Sequence, residues 1–287
     1  MALGKRLPPR AGYAMARIIT GIIDRFRHSS LYRTLYANQS VILGDGATPD
    51  RTRRAVRALL DHAGRCSYDF MHTLAGGEEA IPRSITWPAE TWDNINRARS
   101  LGRGLVLVGA HCSNFNLAIL SFALNHLPVQ VLSLSKPVGG FRIMHELRNR
   151  GIVEETPIDP SALRAAIQRL RGGGTVVTVA DWPLPGSEHE RLSFFGKPAP
   201  VPNSHVRLAM NSNAVMLPMV CRWTPEQGYF IKTAPHMELE LGGDRAADLR
   251  HNAQRVLAIF ERWIAETPEQ WLMYYRVWPD HAPVLHD

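Results

Sequence analysis

The chain of 287 residues is 45% hydrophobic and 21% charged, the balance of a packed globular protein rather than of a disordered or membrane-embedded one. A formal net charge of +7 favours anionic partners. The basic residues are dispersed, however, and no zinc-finger or RNA-binding signature accompanies them, which sets nucleic acid aside. Cys66, Cys112 and Cys221 lie too far apart for a zinc ribbon or a disulfide framework, and fit a reducing, cytoplasmic setting. No signal-peptide pattern follows Lys5 and Arg6, and no window holds the roughly 20 apolar residues of a spanning helix. The expectation is a cytoplasmic protein, soluble or peripheral on the inner face of the cell membrane.

In chain order, residues 1–11 read as a basic tail. Residues 13–36 are apolar with interspersed arginines, through Ile18, Ile19, Ile22, Ile23 and Phe26 to Leu31 and Leu35. They fit either an ordinary packed helix pair or an amphipathic segment lying on anionic lipid with its arginines at the headgroups. Thr48-Pro49-Asp50 opens a second helical stretch over 50–76. A Gly/Pro-interrupted connection and a short helix from Trp92 to Ser100 follow. From residue 104 the period changes, and β-type runs alternate with helical patterns. Strands are predicted at Leu105–Val108, Val129–Leu134, Ile152–Glu154, Thr175–Ala180, Ala214–Arg222, Tyr229–Lys232 and Glu238–Leu241. Helices are predicted from 114 to about His126, over Phe141–Arg150 and Ser161–Arg171, and over 244–266. Gly172-Gly173-Gly174 comes after a helix and before a strand, the reverse of a phosphate loop, and reads as a helix stop. The alternation predicts an α/β domain, a mostly parallel central sheet flanked by helices with a helical N-terminal segment. The division expected is a tail with possible membrane-surface helices over 1–48 and a catalytic domain over 49–287.

The most informative stretch is 101–124. A buried strand ends at Gly109, a tight connection of small residues surrounds His111, and a helix opens with Ser113 or Asn114 as N-cap. His111 therefore sits at the carboxyl edge of a strand beside a helix N-terminus, where open α/β sheets bind ligands. An imidazole there can serve as a general base, taking a proton from a hydroxyl or amine that attacks a carbonyl, with neighbouring backbone N–H groups holding the oxyanion. It can equally cap the turn without chemistry. Asn116, in the first helical turn, is placed to reach back and fix the imidazole tautomer. Cys112 invites a thiol-nucleophile reading against one of simple packing. His72, His126, His145, His189 and His205 show no metal-ligand spacing, and no metal or cofactor is expected.

His111-Cys112-Ser113-Asn114-Phe115-Asn116 resembles the H-x-x-x-x-D/E block of the lysophospholipid acyltransferase superfamily, in the H-x-G-N-W-E/D form of its lipid A and phosphatidylinositol mannoside acyltransferase branch. Four further segments resemble that branch in order. They are Arg148 to Gly151; Asp181 with Phe194-Phe195-Gly196 and Pro198-Ala199; Val201-Pro202 through Leu208-Ala209; and Pro268-Glu269-Gln270-Trp271-Leu272. The resemblance implies a glycerolipid-acyltransferase-like fold. It implies transfer of a fatty acyl group from acyl carrier protein or coenzyme A directly to a hydroxyl or amine of a lipid or glycolipid, beside an anionic membrane surface. It makes His111, Asn116 and Asp181 the catalytic candidates. Ser113, Asn114, Arg148, Arg150, Phe194, Phe195 and Gly196 become candidates for substrate binding.

The chain departs from the pattern at several points. Asn116 stands for the family acid, Ser113 for its glycine and Phe115 for its tryptophan, Pro202-Asn203-Ser204 lacks a family glycine, and the branch's N-terminal spanning helix is not seen. An amide can orient an imidazole but brings no charge, and at such a position a loss of charge costs about 10⁴ in rate in serine proteases, although Cys-His-Asn proteases work with Asn. Asp181 is the carboxylate placed to substitute. Two readings thus stand, an active acyltransferase and a catalytically impaired acyl- or lipid-binding protein of the same fold. A thioesterase-like hydrolase is a third.

Overall fold

A computed structural model describes residues 8–133, 154–183 and 191–281. Three long helices come first: α1 (Pro9–Arg25), α2 (Ser30–Leu43) and α3 (Pro49–Ala75). Ser29 caps α2 and Thr48 caps α3 through side-chain oxygens, and proline opens α3 where its missing N–H costs nothing. β1 (Ile85–Thr86) and α4 (Ala89–Ser100) lead to β2 (Leu105–Gly109), α5 (Phe115–Leu124) and β3 (Val129–Ser133). β4 (Glu154–Pro157), α6 (Pro160–Arg171) and β5 (Thr175–Val179) follow, then a hairpin of β6 (Leu192–Phe194) and β7 (Lys197–Ala199). α7 (Ser204–Ser212), β8 (Val215–Thr224), β9 (Gly228–Thr233) and α8 (Arg245–Glu266) complete the order.

Seven strands form one sheet in the order β1-β9-β8-β2-β5-β3-β4, parallel throughout except for the β8–β9 pair. Its strands are apolar because both faces are covered. Along β2 the side chains alternate. Val106 and Val108 face a core shared with α6, α7 and α8, whereas Leu105 and Leu107 face a core shared with α2, α3, α4 and α5. Burying each such side chain contributes about 1.5–3 kcal/mol. Gly104 permits this packing: a Cβ there would lie 2.2 Å from the carbonyl oxygen of Leu170 at the end of α6.

The crossover after β2 runs through α5 on one face, and the chain after β5 passes to α7 on the other. Adjacent strands with crossovers on opposite faces open a crevice at their carboxyl ends, the ligand position of doubly wound sheets. His111 follows β2 and Asp181 follows β5, so both stand at that crevice.

Most predicted elements match to within a residue or two. The predicted helix over Phe141–Arg150, with Arg148 and Arg150, lies outside the described residues. Glu238–Leu241 is not a strand. The Asn252 side chain of α8 bonds both the N–H and the carbonyl of Glu240, which occupies the groups a strand neighbour would use. The 13–36 segment is a helix pair whose halves differ. α2 is buried, with Asn38 held by Met273, Tyr275 and Val277. α1 exposes Met15, Ile18, Ile19 and Ile22, and Phe26 at its C-cap is exposed as well. No helix among the described residues is long and apolar enough to cross a membrane.

Candidate active site

β2 delivers the chain to the sheet edge, and the turn beyond it is held from two sides. Leu272 donates its N–H to the carbonyl of His111 at 2.8 Å, and Ser113 donates to the carbonyl of Gln270 at 2.6 Å. The Pro268–Leu272 segment thereby pairs with the His111 turn, with Cys112 opposite Trp271. Ser113 has φ 49°, in the left-handed region that favours glycine, which accounts for the glycine of the resembling motif. Here the serine hydroxyl hydrogen-bonds His62 Nε2 at 3.0 Å.

Asp181 is fully buried and accepts three hydrogen bonds. The N–H of His111 donates to Oδ2 at 2.7 Å, the indole of Trp271 donates to Oδ2 at 2.8 Å, and His111 Nδ1 donates to Oδ1 at 2.8 Å. An ionised carboxylate only accepts, so the ring proton sits on Nδ1 and Nε2 carries the lone pair. Nε2 makes no hydrogen bond among the described residues, and the imidazole keeps 9% of its side-chain surface exposed. Phe115 and Trp182 meet the ring edge-on, each at 4.9 Å between centroids, and Tyr275 packs on Trp182 at 4.5 Å. The result is an imidazole held through Nδ1 by a carboxylate, within an aromatic collar.

The structure brings His111 and Asp181 together and leaves Asn116 out of that pair. Asn116 lies half-buried in the first turn of α5, and the orienting position at Nδ1 belongs to Asp181. The N–H groups expected to form an oxyanion hole are spent within the turn. That of His111 goes to Asp181, that of Cys112 to Ala110 and that of Ser113 to Gln270. The open mouth of α5 begins at Phe115, whose N–H has no partner inside the helix by construction.

Ser113 and Asn114 turn inward rather than toward a ligand. Both are 1% exposed, and Asn114 donates to the carbonyl of Cys66 in α3 and caps the N–H of Leu117. Phe194 is fully buried, stacked on Trp278 and edge-on to Trp271, so it reaches the site only through the indole that holds Asp181. Phe195 and Gly196 form the hairpin turn at φ 51° and 68°, with the N–H of Phe195 held by Glu261 at 2.5 Å. Cys112 is 1% exposed, and burial together with the Asp181 charge raises its thiol. A thiolate nucleophile has no support in such a setting. No group of three metal-ligating side chains occurs among the described residues.

Two groups at the site do not emerge from local reading, the Trp271 indole and His62. His62 lies 51 residues before Ser113, and nothing in its own helix marks it. Trp271 carries a signal in the P-E-Q-W resemblance, although as an isolated aromatic it reads as core or interface ahead of an acyl tunnel.

The chain belongs to the bacterial lipid A biosynthesis acyltransferases, a family matched over residues 3–279. Among particular relatives, it is 26% identical to the phosphatidylinositol mannoside acyltransferase of Mycobacterium tuberculosis (strain CDC 1551 / Oshkosh) over 225 residues, 77% of this chain and 69% of that one. It is 25% identical to the protein of the same name from Mycolicibacterium smegmatis over 190 residues, 65% of this chain. That second match spans 60% of the relative's length.

Proposed function

We propose that the protein moves a fatty acyl group from a thioester, borne by acyl carrier protein or coenzyme A, to a hydroxyl or amine of a lipid or glycolipid. The single observation that carries this reading is the 2.8 Å bond from His111 Nδ1 to Asp181, which leaves Nε2 as the base. In this scheme Nε2 takes the acceptor's proton as its oxygen or nitrogen attacks the thioester carbonyl. The carbonyl oxygen takes up the negative charge, steadied by the helix mouth at Phe115. Collapse re-forms the carbonyl, breaks the C–S bond and returns the proton from the imidazolium to the departing sulfur. Asp181 stabilises the imidazolium while it exists. The impaired-enzyme reading draws on Asn116, whereas the carboxylate on Nδ1 supports the active one.

The protein works at an anionic membrane surface in this reading. Met15, Ile18, Ile19, Ile22 and Phe26 recur at helical spacing on exposed positions, with Arg10, Arg17, Arg25 and Arg27 also exposed. Replacing Ile18 and Ile22 by serine should abolish sedimentation with anionic vesicles and leave the fold intact. Unchanged sedimentation ends the membrane reading.

The test of chemistry is His111→Ala assayed with acyl thioesters and a panel of hydroxyl and amine acceptors. Transfer should fall by a factor of about 10³ or more with the circular dichroism spectrum preserved. A folded variant with full activity would overturn the proposal, and fatty acid released to water in place of acylated product would point to a hydrolase.

A further inference from the structure

A second concave site lies beside α1, where that helix packs on α2 and α3. α1 is fixed to α3 at three levels. Tyr13 donates to Asp69 at 2.7 Å, Thr20 donates to Asp61 at 3.1 Å, and Arg57 pairs with Asp24 at 3.6 Å. Gly12 lets the two helices touch, since a Cβ there would lie 1.9 Å from Tyr68 Cε2. Along this seam the helices leave a groove of about 490 Å³. Small-ligand sites span about 300–1,000 Å³. Its walls are Met15, Ile19 and Ile23 from α1, Leu31 from α2, and Leu60 and Met71 from α3. No charged side chain lines it among the described residues. Two hydroxyls at its edge are already bonded, Thr20 to Asp61 and Ser67 to the carbonyl of Ala63. Water finds few partners in such a groove, whereas hydrocarbon fills it favourably.

Helical spacing shows what lies over the groove. Met15, Ile19, Ile22 and Phe26 recur at i, i+4, i+7 and i+11 and form an exposed apolar ridge along its rim. Met15 and Ile19 belong both to the ridge and to the groove wall. Arg10 and Arg17, seven positions apart, are exposed on the opposite flank of α1. With the arginines at lipid phosphates and the ridge in hydrocarbon, the groove opens among acyl chains rather than headgroups. It is also separate from the site of chemistry. Tyr274 lines it and belongs to the core shared with α2 and α3. The next residue, Tyr275, belongs to the core shared with α6, α7 and α8, and packs on Trp182 beside the imidazole. No member of the collar around His111 lines the groove.

We infer that the groove holds one acyl chain of a bilayer phospholipid that is neither donor nor acceptor, a lipid ligand that fastens α1 to the membrane. The inference rests on the membrane-surface reading and goes beyond it. An amphipathic helix needs only bulk lipid beneath it, whereas a groove binds a single chain at fixed stoichiometry.

Calorimetry of the full chain with dihexanoylphosphatidylglycerol, kept below its micelle concentration, tests binding apart from vesicles. Wild type should bind one molecule per chain, and glycerophosphoglycerol, the same headgroup without chains, should not bind. Ser67→Phe fills the groove from an exposed position whose hydroxyl bonds only a carbonyl of its own helix. Met71→Trp fills it from further along α3. Each should weaken binding about tenfold or more, with the circular dichroism spectrum and the KM for a soluble acyl thioester unchanged. Binding that both variants retain, or no binding by wild type, overturns the inference. So does a raised KM for the soluble thioester in Ser67→Phe, which would make the groove a substrate site. A dimer that both variants dissolve would make a second copy the occupant and overturns it too. Wild type that sediments with phosphatidylglycerol vesicles but ignores the short-chain lipid keeps the membrane reading and loses the groove. Wild type that binds the short-chain lipid one to one but fails to sediment keeps the groove and loses the membrane reading.

Discussion

Two histidines flank one turn and are prepared for opposite ends. His111, on one side, bonds a buried carboxylate through Nδ1. His62, on the other, bonds the neutral hydroxyl of Ser113, and burial together with the charges of Arg65 and Arg222 lowers its pKa to about 4. One ring has a carboxylate on Nδ1, and the other is kept neutral by burial and neighbouring cations. Burial alone does not make a base, and what sits on the far nitrogen decides it.

The largest effect that would break this contrast is on rate. Loss of the His111 imidazole should cost about 10³ or more, whereas His62→Gln, which can still bond Ser113, should cost less than about tenfold. Equal losses in a transfer assay would dissolve the distinction. Asp181→Asn should lower kcat by about 10²–10⁴, since an amide can present its N–H to Nδ1 and reverse the tautomer. Trp271→Phe removes one donor from Asp181 but keeps the ring packing. About tenfold in kcat is expected, and a KM effect alone would contradict a positioning role.

Stability should separate the histidines further. His62 in the folded state stays neutral down to about pH 4, whereas the unfolded chain takes up a proton near 6.5. His205, fully buried and with neither ring nitrogen bonded, is lowered to about 3 by burial. Between those limits the unfolded state binds more protons, so acid favours unfolding and stability rises with pH. Urea midpoints should fall steadily from pH 6.5 toward 4. His205→Phe should shallow that slope, and an unaltered slope would show that the ring titrates freely.

Much of this was legible from residue order. The β2–turn–α5 sequence put His111 at a sheet edge, because a short apolar run, small residues and a cap leave few alternatives. Asp181 is the substitute carboxylate that the resemblance supplies, just past the end of a predicted strand. The actual pairing depends on β5 being inserted beside β2, a tertiary fact that no local period encodes. The same limit explains Ser113 and Asn114, which the resemblance offers as substrate-binding candidates and which are bonded to α3. It explains Glu240, whose strand-like surroundings are overruled by a side chain of α8.

The clamp on His111 has a consequence for how the molecule comes into being. Asp181 lies 70 residues beyond the imidazole, and the indole that steadies it another 90 beyond that. Contacts so distant along the chain close late, after local helices and neighbouring strands have formed. A nascent polypeptide emerging from the ribosome therefore lacks both the indole on Asp181 and the Gln270 and Leu272 bonds that hold the His111 turn until the Trp271 segment arrives. A finished site then marks completed assembly.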